Sequence, residues 1–184
     1  MTRTRSDTAR FDAPLWRGFA CTGVLLIAAQ LVLAWHAQRM LMVTGLAVFV
    51  LAGLAAAWVP SRLPSLLRLL LVLAALLNAA GGFFRWFDNV PWFDELAHGY
   101  TGFAGLAAIG FLYARVDVLR RDSLVGWCAA MGLALGVGWE VLEGMAGPLG
   151  LVDTLSDLVM DVLGAALGGA FARHVLQAVA PDGA

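Results

Sequence analysis

The sequence predicts an all-α, polytopic membrane protein: about six transmembrane helices joined by short loops, forming a single integral membrane domain over residues 1–184. Two observations carry that prediction. The chain is 61% hydrophobic and 14% charged, with a mean hydropathy of +0.81, whereas soluble domains are roughly 45–50% apolar and 25% charged. Its apolar residues also come in blocks of about 20, enough to cross a ~30 Å hydrocarbon layer at 1.5 Å per residue. The blocks place spans at about 15–36, 41–59, 64–86, 94–114, 124–146 and 153–179.

The first span follows Arg3, Arg5 and Arg10, as a secretory signal would. Its apolar stretch is too long for a signal, however, and Ala34-Trp35-His36-Ala37 makes a poor cleavage site, so the span stays as an anchor. Pro60 and Pro64 bracket the turn between the second and third spans, Pro91 precedes the fourth, and Gly147-Pro148 separates the fifth from the sixth. Cys21 and Cys128 lie in apolar runs without metal or redox spacing and read as small buried hydrophobes.

The net charge of -1 conceals a separation of charges. All twelve basic residues are arginine. An even number of spans puts Arg3, Arg5, Arg10, Arg17, Arg62, Arg68, Arg115, Arg120, Arg121 and Arg173 on one side and only Arg39 and Arg85 on the other. The positive-inside rule then places both termini in the cytoplasm. Trp16, Trp35, Trp58, Trp86, Trp92 and Trp127 fall near span ends as an interfacial belt, while Trp139 lies inside a span beside Glu140. Eight of the thirteen acids, Asp88, Asp94, Glu95, Glu140, Glu143, Asp153, Asp157 and Asp161, belong to the outer half. A charge at mid-bilayer costs at least ~2.5 kcal/mol, so acids inside helices need partners, water or a metal.

Three helices carry those acids at helical spacing. The fourth has Asp94 and His98 followed by Gly102 and Gly105; the fifth has Gly132 and Gly136 leading to Glu140 and Glu143; the sixth has Asp153, Asp157 and Asp161, then Gly164 and Gly168. Small residues four apart let membrane helices approach closely, so the six glycines are read as packing positions that draw the acid ends together. The helical rise puts His98, Glu140 and Asp157 at one depth, in a polar cup open to the extracytoplasmic side. Its carboxylates repel one another. Arg85 offsets one, and a divalent cation offsets more; oxygen ligands with one imidazole suit Mg2+, Mn2+, Ca2+, Fe2+ or Zn2+. Asp94, His98, Glu140, Glu143 and Asp157 are the expected ligands, with Asp153, Asp161, Arg85 and Trp139 lining the cup. Capping a helix suffices for Asp94 and Asp153, but it does not explain His98, Glu140, Asp157 or Asp161.

Asp94-Glu95-Leu96-Ala97-His98 with Gly102-Phe103, Trp139-Glu140-Val141-Leu142-Glu143, and Asp153-Thr154-Leu155-Ser156-Asp157 with Gly164-Ala165 together resemble the YjdF-like family of bacterial inner-membrane proteins. More distantly they resemble VanZ-like proteins, whose Asp-x3-His, Glu-x2-Gln and Asp-x3-Asn-x2-Gly-Ala elements come in the same order. The resemblance covers residues 84–172. Glu143 stands in place of the VanZ-like Gln, and Asp161 in place of a small apolar residue or Asn. It implies an integral membrane fold and, for VanZ-like proteins, a link to the cell envelope and glycopeptide susceptibility; it supplies no reaction or catalytic residue.

The pattern excludes a nucleic-acid surface, a phosphate loop with its Lys, and a Ser/His/Asp nucleophile motif. Three functions fit the cup: a metal-dependent enzyme acting on an envelope lipid or lipid-linked substrate, an ion- or proton-coupled transporter, and a noncatalytic envelope factor that binds a ligand. The inner halves of the spans are Gly, Ala, Leu and Val, which argues against a transport path.

Overall fold

Uninterrupted apolar blocks satisfy their own backbone hydrogen bonds only as helices when no water is present, and helices are what the chain forms. A computed structural model describes residues 11–58, 62–116, 118–147 and 150–179. Arg3, Arg5, Arg10, Pro60 and Pro148 lie outside the described residues. The helices are α1 (Pro14–His36), α2 (Met40–Trp58), α3 (Ser65–Phe83), the single turn α4 (Trp86–Asn89), α5 (Phe93–Arg115), α6 (Leu124–Ala146) and α7 (Leu151–Val179), with no strand among the described residues. Leu25, Leu41, Leu51, Leu133, Leu163 and Leu167 are exposed along them, as suits a lipid surround.

Five helices, α1, α2, α3, α6 and α7, are long and apolar enough to cross a membrane. The sixth expected span, α5, has 23 residues, about 34 Å of helix, but Asp94, Glu95, His98 and its glycines lower its apolar content. It lies along α7, as described below, but is not among the helices apolar enough to cross a membrane.

The third span is shorter than the expected 64–86. Helix α3 stops at Phe83, and Arg85 takes the left-handed conformation (φ 59°, ψ 36°), which costs a non-glycine residue about 1–2 kcal/mol. The turn gathers an aromatic cluster: Phe84 stacks on Trp86 at 5.1 Å between centroids, and Phe87 meets Phe93 edge-on at 5.0 Å. Gly81 has no Cβ where the Phe87 and Phe93 rings lie.

The chain read as one integral membrane domain divides in its packing into two compact units, one within Thr8–Phe93 and one within Asp94–Ala184. In the first, Ala20, Val24, Leu69 and Val72 form one apolar cluster and Ile27, Ala34, Leu46, Ala75 and Ala79 another. The segment before α1 is fastened to the start of α3. Ser65 N–H donates to Asp12 Oδ1 (3.1 Å), and Ser65 Oγ donates to the Phe11 and Ala13 carbonyls (3.4 and 3.3 Å). Partial burial pushes the Asp12 carboxyl up, but hydrogen bonds from Ser65 and the Arg17 guanidinium outweigh it and hold the group below the usual carboxylate range.

In the second unit the glycines set the topology. Added methyl groups at Gly99 and Gly102 would strike Met160 and the Asp161 carbonyl, and one at Gly168 would strike Ala107 N, so α5 and α7 run parallel. Gly132 and Gly136 face the Asp161 turn while Gly169 faces Cys128 and Leu124, so α6 runs antiparallel to α7. Gly164 presses on the Gly99 backbone itself. Gly105 departs from the expected packing role, having nothing within 4 Å of its would-be Cβ. At about 100° per residue it lies on the azimuth of Asp94 and His98, whereas the contact stripe of α5 through Gly102, Gly99 and Gly110 is turned from it by roughly 60° to 140°.

Two outcomes follow for the purified protein in nanodiscs. Gly164→Ala has only backbone to displace and should lower stability to chemical unfolding by about 1–3 kcal/mol, while Gly105→Ala should not lower it. A group whose carboxyl is held low when folded stabilises at pH above its unfolded value, and that stabilisation disappears as pH falls through the folded value. The difference in melting temperature between the native chain and Asp12→Asn should therefore be present at neutral pH and vanish in acid.

Candidate functional site

Because α6 runs against its two neighbours, α5 and α7 begin where α6 ends. This brings the acid-bearing segments to one end: Asp94 and His98 in the first turns of α5, Glu140 and Glu143 in the last turns of α6, and Asp153, Asp157 and Asp161 over the first three turns of α7. Two helix N-termini lie at that end, and their dipoles favour negative charge.

His98 stands between carboxylates. Its Nδ1 lies within hydrogen-bond distance of Asp161 Oδ2 (3.1 Å) and its Nε2 lies 3.7 Å from Asp94 Oδ1. Asp94, His98 and Asp157 each offer one ligand atom, and the three atoms lie within 4.8 Å of one another. Asp157 is 1% exposed, and its Oδ1 has no hydrogen-bond partner within the protein. Glu140 is 5% exposed; Thr154 Oγ1 donates to its Oε2 (2.7 Å), leaving Oε1 without a partner.

Of the five expected ligands, the structure thus gathers Asp94, His98 and Asp157. Glu140 is buried and engaged by Thr154; neither it nor half-buried Glu143 belongs to the close trio. Asp161 lies on the far side of the imidazole, and Asp153 is exposed. Trp139 is half-exposed on α6. Arg85 belongs to the other unit, where its Nε donates to Asp88 Oδ2 (2.9 Å), so the guanidinium expected to offset a cup carboxylate already has an acidic partner. Sequence reasoning passed over two residues. Thr154 is one, legible as a hydroxyl three residues before Asp157 and hence on the same side of α7. Glu95 is the other, with Oε2 buried and unpartnered.

The electrostatics are one-sided. Asp157 feels the charges of Asp94, Asp153 and Glu140, and Asp94 those of Glu143, Asp153 and Glu95; the attraction on both comes from His98. Two carboxylates and an imidazole nitrogen are ligands for a hard or borderline divalent cation, and such an ion would engage the bare oxygen of Asp157.

Helices, lipid-facing leucines and this cluster define a class: an all-α polytopic membrane protein with an acidic and histidine centre at one end of a three-helix unit. Residues 17–178 match the family model described as "Predicted membrane protein (DUF2238)", and the chain belongs to that family, the YjdF-like one. No curated protein and no solved structure matches it.

Removing the Thr154 hydroxyl leaves both oxygens of buried Glu140 bare. Thr154→Val should cost about 1–3 kcal/mol in unfolding free energy, and Thr154→Ser should restore most of it.

Proposed function

We propose that this is a bacterial inner-membrane protein whose Asp94, His98 and Asp157 hold a divalent cation in a cup open to the extracytoplasmic side, and that it is a metal-dependent enzyme acting on an envelope lipid or lipid-linked substrate. One observation carries the metal reading: Asp157, almost wholly buried, offers a carboxylate oxygen within 4.8 Å of ligand atoms on two other side chains, and its Oδ1 has no hydrogen-bond partner within the protein. A buried carboxylate among other carboxylates is stable only with compensation, and a cation supplies it. Ten arginines against two support the orientation, with both termini cytoplasmic. The distant VanZ-like order of motifs supports the link to the envelope.

The cup lies at headgroup depth, where a bound cation polarises a phosphoryl or carbonyl oxygen or activates water. Glu140, with one oxygen free, and half-buried Glu143 are the carboxylates left to move a proton. Catalysis fits better than transport, because below Asp161 the buried stripe of α7 continues as Gly164, Ala165, Gly168, Gly169 and Ala172, with nothing to relay an ion. The noncatalytic envelope factor differs only in binding without turnover.

Elemental analysis of the purified chain should find one divalent ion per molecule, reduced at least tenfold in His98→Ala and Asp157→Asn while Gly105→Ala retains it. Incubation with extracted envelope lipids should show turnover that a chelator stops. A metal-free native protein, or variants that match it in metal content, would overturn the reading.

A further inference from the structure

The reading above leaves open which atom of His98 binds and which cations the site selects. Asp161 decides both. Three glycines on two helices close around this residue: a methyl at Gly102 would stand 3.0 Å from the Asp161 carbonyl oxygen, one at Gly132 would stand 2.8 Å from it, and one at Gly136 would overlap the Asp161 carboxylate itself. The carboxylate thus occupies a cradle that the missing side chain of Gly136 leaves open, and Asp161 is only 9% exposed. Its Oδ2 is 3.1 Å from His98 Nδ1. An ionised carboxylate only accepts, so Nδ1 carries a proton whether the ring is charged or neutral, and a cation bound at Nε2 takes the place of the ring's second proton. Nε2 is on the side of Asp94, whose Oδ1 is 3.7 Å away.

We infer that Asp161 is a positioning residue that fixes His98 as the Nδ1–H tautomer with Nε2 as the metal ligand, and that the site therefore takes a borderline transition-metal ion such as Mn2+, Fe2+, Co2+ or Zn2+ rather than Mg2+ or Ca2+. The inference rests on the metal reading for its second half only. Imidazole nitrogen favours the borderline ions, whereas Mg2+ and Ca2+ prefer all-oxygen shells. A carboxylate behind a ligating histidine fixes the ring and raises its basicity, and its loss costs about 10- to 100-fold in metal affinity. The three glycines keep Asp161 from relaxing away.

The test uses full-length chain labelled with 15N-histidine in nanodiscs, with His98 assigned by His98→Gln. Without metal, nitrogen shifts should report Nδ1–H in the native chain and its loss in Gly136→Ala, which displaces the carboxylate while changing no ligand. With metal, 113Cd should couple to Nε2, and Co2+ should bind with a visible d–d spectrum that about a hundredfold excess of Mg2+ or Ca2+ does not erase. Asp161→Asn should weaken Co2+ binding about 10- to 100-fold at unchanged melting temperature, and Asp161→Glu should recover part of it. An Nε2–H tautomer in the native chain, cadmium coupling to Nδ1, displacement of Co2+ by Mg2+ or Ca2+, or native affinity in Asp161→Asn would each overturn the inference while leaving a metal site standing. Failure of the native chain to bind any divalent ion would instead remove the metal reading, and the tautomer measurement would still judge the role of Asp161.

Discussion

Backbone contact at glycine is the constraint on which the Asp94–Ala184 unit depends. Lipid tails are as apolar as leucine, so membrane helices gain little from burying greasy faces and associate by close packing. Gly164 against Gly99, and Gly102 and Gly132 against the Asp161 carbonyl, bring three backbones nearer than any Cβ would allow. Close approach fixes rotation as well as distance. A helix held at four or five such points cannot turn its acids elsewhere, and Asp157 and Asp161 are buried because Gly164 and Gly168 are buried one and two turns further along α7.

That rigidity has an electrostatic consequence. Water around an exposed acid cluster reorients to screen it, but a buried cluster has only the protein and whatever it binds. Amid the acids around Asp157, His98 is the charged partner that attracts both Asp94 and Asp157. His98 is in turn divided between two jobs, its Nδ1 turned to Asp161 and its Nε2 to Asp94. One imidazole cannot neutralise several carboxylates. The proposed cation would add positive charge there, where Asp157 and Glu140 each have an oxygen without a partner.

Sequence legibility followed the strength of the underlying periodicity. Blocks of apolar residues between Pro and Gly gave every long helix to within three residues, because a membrane leaves the backbone no alternative. Asp94, His98 and Asp157 were legible because a spacing of four stacks side chains on one face. Gly105 was not, since a stripe drawn through polar residues need not coincide with the stripe that touches a neighbour. Arg85 and the end of α3 depended on a left-handed residue and a knot of aromatic rings that no periodicity encodes. The Thr154–Glu140 bond joins two helices, so the hydroxyl is legible on its face of α7 while its partner on α6 is not.

Depth separates what the site can do from what its composition alone would permit. Asp153, Asp157 and Asp161 descend α7 by about 6 Å per step, from exposed to buried. Beyond Asp161 the same stripe is Gly164 and Gly168, pressed on the α5 backbone with no room for a methyl group. A path for ions along this stripe would need polar atoms where those glycines are, and the contact that holds the acid cluster together already fills that space. Substituting a polar side chain there to open a path would push α5 from α7 and dismantle the cup. Within this unit, packing and passage along this stripe are mutually exclusive, and the proposed cup is therefore open only at the end where α5 and α7 begin.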